Sequence, residues 1–247
     1  CYHRPPKATE EEAKNFCLKM IRLAHGTTLE MARVHLVGPS CRIPDSPYIT
    51  STPINASEAV ISGSIRAFRE ALCEYGSSIW DFLAHHYPIF FSESDPPKGS
   101  IRFAEKGEVP WSHRYIAVRF VINRAISHQL VRHRPVSILQ ESQRYCRYDE
   151  DVVFIRPLWA PESSLFADGF EIDCSNAERR YKMYLGQGLK PQEARVVLPA
   201  STKTEVIVYA SIPQWGHIFS ERCQKAADPE MRRVMMPLRK AFTERFI

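Results

Sequence analysis

Residues 114–135 constrain the fold more than any other stretch of the chain. Arg114 to Asn123 carries Tyr115, Val118, Phe120, Val121 and Ile122, the aromatic and β-branched residues that suit a pleated strand. Arg124 to Arg132 then spaces Ala125, Gln129 and Arg132 at helical intervals. Pro135 has no amide hydrogen and drives the residue before it out of the helical region. The chain must therefore run from strand to helix and stop, leaving His133 and Arg134 at the helix C-terminal end.

The same reading extends along the 247 residues. Residues 9–23 read as a helix, with Thr9 as cap, Glu10 to Glu12 at its positive end and Phe16, Cys17, Met20 and Ile21 as its apolar stripe. Met31 to Val37 reads as a strand and residues 38–54, rich in Pro and Ser, as loop. Ala56 to Tyr75 reads as a second helix through Val60, Ile61, Ile65, Phe68 and Leu72, and residues 87–112 as a surface excursion. Val152 to Ile155 is expected as a short strand. Ala177 to Gln187 is expected as a helix closed by Gly188, and Pro191 opens another. Residues 203–223 read as mainly helical around Pro213, and a terminal helix covers about Pro229 to Phe246. This is an α+β chain.

Charge narrows the chemistry. The net charge is only +5, yet 23 of the 33 cations are Arg. Residues 114–147 hold seven of them (Arg114, Arg119, Arg124, Arg132, Arg134, Arg144 and Arg147), with no Lys and the single acid Glu141. That window is +6, so the remainder is near neutral. A solvated helix face mixes Lys with Glu. Here Arg is interleaved with Gln129, His133, Ser137, Gln140, Ser142 and Tyr145, groups that make directional hydrogen bonds. Arg is the planar, bidentate binder of phosphate and carboxylate. Two forks flank His133 at a helix end whose dipole disfavours anions, so both are needed to hold a phosphate there.

Other features set bounds. The seven cysteines are odd in number, widely spaced and without a Cys-x-x-Cys pair, which excludes a zinc ribbon or thioredoxin-type site and reads as reduced, buried thiols. His85-His86 has no acid or Cys at ligand spacing, so no metal is expected. No apolar run approaches the ~20 residues of a membrane span. With no apolar signal core near the first residues, a cytoplasmic protein is expected. The missing initiator Met is read as a start inside a longer or processed chain.

Arg132-His133-Arg134, seven spacer residues and Ser142, followed by Arg144-Tyr145, resemble the signature of the flavin-dependent thymidylate synthases. Further blocks resemble that family in order: Cys1-Tyr2, His25 to Glu30, Glu193 to Pro199, and His217 to Arg222. The resemblance implies helices packed on a central, mainly antiparallel sheet, in one catalytic domain over 1–247 with an insertion at about 38–113. It implies reductive methylation of dUMP to dTMP with FAD, methylenetetrahydrofolate and NADPH, in a homotetramer whose sites lie between subunits. By position it assigns Arg132, His133, Arg134, Gln140, His217, Thr27 and His25 to the flavin. It assigns Gln129, Ser142, Arg144 and Arg195 to dUMP. Arg222 falls where an arginine lies against the pyrimidine and stabilises negative charge on it.

Some positions depart from the family pattern. Leu139-Gln140 replaces a usual Asn-Glu, Ser211-Ile212-Pro213 stands where many members have Asn-x-Arg, and Met31 replaces a frequent His. Gln140 is no carboxylate base, so its role is hydrogen bonding. The departures keep open a related flavoenzyme that methylates or hydroxymethylates another nucleotide such as dCMP. A rival from a different class is an Arg-rich module that binds nucleic acid, marked by a steep salt dependence. Ser142 reads as a hydrogen-bonding group and not a nucleophile, and Cys146 as packing behind the motif.

Overall fold

The computed structural model describes residues 9–40, 46–72, 78–92, 99–162 and 164–246. Cys1-Tyr2, Cys41 and Cys73 lie outside them. The described residues form two compact units, one of 9–116 with 209–212, the other of 117–208 with 213–246.

The first unit opens with α1 (Glu10–Arg22), where the Thr9 hydroxyl accepts the Glu12 amide at 3.2 Å, as its sequence predicts. There follow α2 (Thr27–Glu30), β1 (Arg33–Pro39), β2 (Ile49–Pro53), β3 (Glu58–Ser64), α3 (Ile65–Leu72), α4 (Ser78–His86) and β4 (Arg102–Phe103). The strands form a sheet in the order β2-β3-β1-β4, with β3 antiparallel to both β1 and β2 and β4 antiparallel to β1. The expected loop over 38–54 thus contains an edge strand, which Pro53 can end without breaking a central ladder.

The expected helix over 56–75 is also corrected: its first half is β3. That strand is central, so Ala59 to Ser64 are buried on both faces and show no polar alternation. Val60, Ile61 and Ile65 mimic helical spacing, and only the length of the buried run could separate the two readings. From Ile65 the chain is helical, and Ile65, Phe68 and Leu72 pack with Leu36, Ile61, Leu83 and Phe91. The opposite sheet face is polar yet closed. Ser62 Oγ lies 2.7 Å from His35 Nδ1 and 2.9 Å from His113 Nδ1, and His113 Nε2 is 2.9 Å from Thr52 Oγ1.

The second unit holds the strand–helix–proline passage. Its elements are β5 (Tyr115–Asn123), α5 (Arg124–Leu130), β6 (Ser137–Gln140), α6 (Leu165–Gly186), α7 (Pro191–Ala194), β7 (Lys203–Ser211), α8 (Ile212–Arg222) and α9 (Pro229–Phe246). The strands order as β5-β7-β6. Asn123 caps α5, its side chain accepting the Ile126 amide at 2.9 Å. The expected helix over 203–223 is half wrong. Thr204, Val206, Val208 and Ala210 are buried in strict alternation, the period of a strand, and Pro213 sits in the first turn of α8, where a missing N–H costs nothing. α6 begins twelve residues before its expected start, because Leu165, Phe166 and Ile172 face solvent and draw no apolar stripe. The expected strand at 152–155 is reduced to one bridge, Phe154 to Thr202.

Two clusters support this unit. Val152, Tyr181, Leu185 and Ala194 form one. In the other, Trp215 is fully buried against Phe219 and Phe242 at ring distances of 5.6 and 5.2 Å. The described cysteines form no disulfides with one another, and Cys146, Cys174 and Cys223 are buried thiols raised in pKa first by desolvation. Among the described residues no helix is long and apolar enough to cross a membrane, and no group of His, Cys, Asp and Glu could hold a metal.

Candidate functional site

The end of α5 and the turn to Pro135 place His133 in the interior while Arg132 and Arg134 on either side stay exposed. The buried ring meets the last residue of α8. Arg222 Nε donates to His133 Nε2 at 2.9 Å, and Arg222 Nη2 donates to the Gln129 carbonyl at 2.9 Å. A ring nitrogen that accepts from a guanidinium carries no proton, so His133 is neutral with its hydrogen on Nδ1. Burial, then the Arg222 charge and then His217 hold its pKa at about 4. The exposed His217 ring lies 6.1 Å away, edge to face.

Gln129 is tied at its other end. Its Nε2 donates to Asp228 Oδ2 at 2.8 Å, while Asp228 Oδ1 accepts the Glu230 amide at 2.9 Å and so caps α9. The chain Asp228–Gln129–Arg222–His133 thereby joins α5, α8 and α9. Asp228 carries no family signal in the sequence. Its mark is local, an Asp directly before Pro229 at a helix start.

The next strand supplies the second part of the site. Gln140 Nε2 donates to Ser127 Oγ at 2.9 Å, which turns its amide nitrogen toward α5. Glu141 is buried: Tyr148 Oη donates to it at 2.5 Å, the Glu205 amide at 3.2 Å, and Lys203 Nζ lies 3.6 Å away. Burial first and then the Glu141 carboxylate push the Tyr148 phenol well above its ordinary pKa. This carboxylate bolts β6 to β7 and sets the half-buried Ser142 that follows, whose hydroxyl accepts the Arg144 amide at 3.3 Å. Arg144 Nε donates to Gln192 Oε1 at 3.0 Å, three residues before Arg195. The backbone amides of Arg124 and Ala125 donate to Thr202 and Ala200 on the segment after Arg195. Burial first, with Arg195 adding to it, lowers the Arg124 pKa.

The arginines divide by partner. Arg119 pairs with Glu205 at 2.7 Å and Arg147 with Asp149 at 2.5 Å, so those two are ordinary ion pairs. Among the described residues no carboxylate pairs with Arg124, Arg132, Arg134, Arg144 or Arg195. Guanidiniums with no internal anion suit phosphate oxygens, and a pyrophosphate-bearing cofactor fits that donor set. A nearby cavity of 570 Å³ has a mixed lining, with Asp149, Glu150 and Asp151 against Arg147 and Lys203. His25 and Thr27 belong to the other compact unit. There His25 closes α1, its amide donating to Met20 O at 2.9 Å, and the half-buried Thr27 starts α2.

The neutral histidines give a pH dependence. His133 and His35 are both held at about 4, chiefly by burial, against an ordinary value of 6.5. Between those limits the unfolded chain binds protons that the folded chain does not, so stability is full above about pH 6.5 and falls as the pH drops toward 4. Urea midpoints should be level from pH 7 to 8 and decline steadily below 6.5, and His133→Gln should flatten that decline. A midpoint unchanged down to pH 5 would contradict the buried neutral rings.

An α+β protein with this site is equipped to hold anionic ligands. The family model described as thymidylate synthase complementing protein matches residues 102–246, and the chain belongs to that family. Over 115 residues it is 32% identical to a flavin-dependent thymidylate synthase of Pyrococcus furiosus, covering 45% of this chain and 47% of the relative. It is 35% identical over 115 residues to one of Geobacter sulfurreducens, covering 45% and 48%. It is 27% identical over 144 residues to one of Synechocystis, covering 53% and 67%. The chain spans about half the length of the first two.

Proposed function

We propose that this protein is a flavin-dependent thymidylate synthase that methylates dUMP to dTMP. The observation that carries the reading is Arg222, held at two of its N–H groups by neutral His133 and the Gln129 carbonyl. Ser142, Arg144 and Arg195 hold the nucleotide phosphate, with Arg124 beside Arg195 as a further guanidinium. Each charge-assisted bond contributes roughly 1.5–3 kcal/mol. Arg132, Arg134, Gln140, His217, Thr27 and His25 are assigned to FAD. A flavin held there and reduced by NADPH would supply the hydride, and methylenetetrahydrofolate would supply the one-carbon unit. Attack at pyrimidine C6 places negative charge on the ring carbonyl. Arg222 offers its remaining N–H groups to that charge from a fixed position, so no reorganisation accompanies the reaction. None of the seven cysteines is needed as a nucleophile. We assign both compact units to one cytoplasmic catalytic domain that assembles as a homotetramer.

The test is direct. Purified protein should be yellow, with flavin absorbance. Incubated with dUMP, methylenetetrahydrofolate and NADPH, it should yield a nucleotide with the mass of dTMP. Turnover of dCMP alone, or of a hydroxymethyl product, would sink this reading in favour of the related flavoenzyme. A colourless preparation that binds RNA or DNA with steep salt dependence would replace it by the nucleic-acid module.

A further inference from the structure

The four residues of α2 are too few to hold a helix by themselves, because nucleation costs more than a single turn of hydrogen bonds returns. Gly26 stands at the cap position and has no side chain to accept an orphan amide. Two contacts fix the turn instead. Leu29 is buried in the core of the first unit. Arg66, in the first turn of α3, reaches back to α2: its Nη1 donates to Glu30 Oε1 at 2.5 Å and its Nε to Glu70 Oε1 at 2.6 Å. The same guanidinium lies against the backbone of Gly26. A Cβ placed there would meet Arg66 Nε at 2.9 Å, Cδ at 3.0 Å and Cζ at 3.1 Å, closer than side chains ordinarily approach. Gly26 has φ −57° and ψ −27°, helical values open to any residue, so this glycine serves the close approach and not the turn. Arg66 thus spans α2 from Gly26 to Glu30, and His25 and Thr27 flank that glycine.

We propose that Arg66 is a positioning residue for flavin binding, clamping α2 so that His25 and Thr27 are set for the cofactor. The inference rests on the assignment of those two residues to FAD above. Arg66 and both residues of its contact in α3 lie within 38–113, so the clamp gives that stretch a part in cofactor binding. An exposed ion pair contributes little stability by itself. The effect here is on position. A segment left loose must be ordered when the ligand binds, and the ordering lowers affinity. Arg66 does not touch the flavin in this scheme and acts through α2.

The test is a titration of flavin-free protein with FAD, read by quenching of the flavin fluorescence. Melting temperature, KM for dUMP and kcat at saturating FAD are followed alongside. Arg66→Ala should raise the FAD Kd by about fivefold or more, a size common for coupled residues in contact, with kcat at saturating FAD and KM for dUMP near wild type. Gly26→Ala alone should also weaken FAD, since its Cβ forces the guanidinium off Glu30. In the Arg66→Ala background the same change should bring no further loss, because the clash is gone and Ala is the better residue at helical φ and ψ. Glu30→Gln keeps the shape and removes the charge; it should follow Arg66→Ala and decides in its place if that variant does not fold. A merely structural arginine would move the melting temperature and leave the FAD Kd alone. An unchanged FAD Kd in folded Arg66→Ala, or an added loss from Gly26→Ala in its background, overturns the inference while leaving flavin binding in place. A wild type that takes up no FAD overturns the flavin reading, and the inference with it.

Discussion

Arg222→Ala should lower turnover of dUMP by about 10²–10³-fold while the protein stays folded and yellow. That range is what removal of one preorganised donor to a developing oxyanion costs in other enzymes. The guanidinium is suited to the task because its Nε and one Nη2 hydrogen are already bound to His133 and Gln129 at 2.9 Å each. Its freedom is spent before any ligand arrives. Arg222→Lys keeps a charge but lacks the fork that spans both partners, so it should also lose most turnover. The measurement is kcat at saturating dUMP beside the flavin absorbance of the same preparation. Turnover equal to wild type in Arg222→Ala would refute the role assigned to it.

The second large effect belongs to His133, which the family resemblance assigned to the flavin. In the structure its Nε2 accepts from Arg222 Nε, so its buried ring also anchors the guanidinium. His133→Leu should reduce kcat by about tenfold or more, since Arg222 loses an anchor and a buried N–H is left without an acceptor at a cost of roughly 1–3 kcal/mol. His133→Gln places an amide oxygen near the position of Nε2 and should recover most of that loss. A merely structural histidine would give the opposite ranking of readouts, with both variants losing stability and neither selectively losing kcat. The flavin should remain bound in both. Loss of flavin in His133→Gln would return the residue to a cofactor role.

Parts of this were legible before any coordinates. The Asn123 cap, α5 and the stop at Pro135 follow from local chemistry, and so do Thr9, α1 and the terminal helix. These elements declare themselves because caps, prolines and a one-sided apolar stripe act within a few residues. The misread elements share another cause. β3 lies between two strands, so both faces are buried and its pattern matches a helix stripe. β7 runs into Pro213 and α8 without a break, so a helical reading spreads back over the alternation of Thr204, Val206, Val208 and Ala210. The hidden start of α6 is exposed, and an exposed helix needs no apolar period.

The candidate site divides in the same way. Arg132, His133, Arg134, Ser142 and Arg144 were legible because they lie within 13 residues at a fixed spacing. The excess of Arg over acid in residues 114–147 also stood in the sequence, and with it the preference for anionic ligands. What the tertiary structure decided is which of those cations remain available. Arg119 and Arg147 are taken by Glu205 and Asp149, the first of these from a distant strand. It also decided what each neutral group does. Residues 129, 133, 222 and 228 are joined by hydrogen bonds across about a hundred residues of chain, and no local pattern encodes them. A hydrogen bond depends on distances of about 3 Å between atoms, and only the packing of α5, α8 and α9 brings those atoms within that reach.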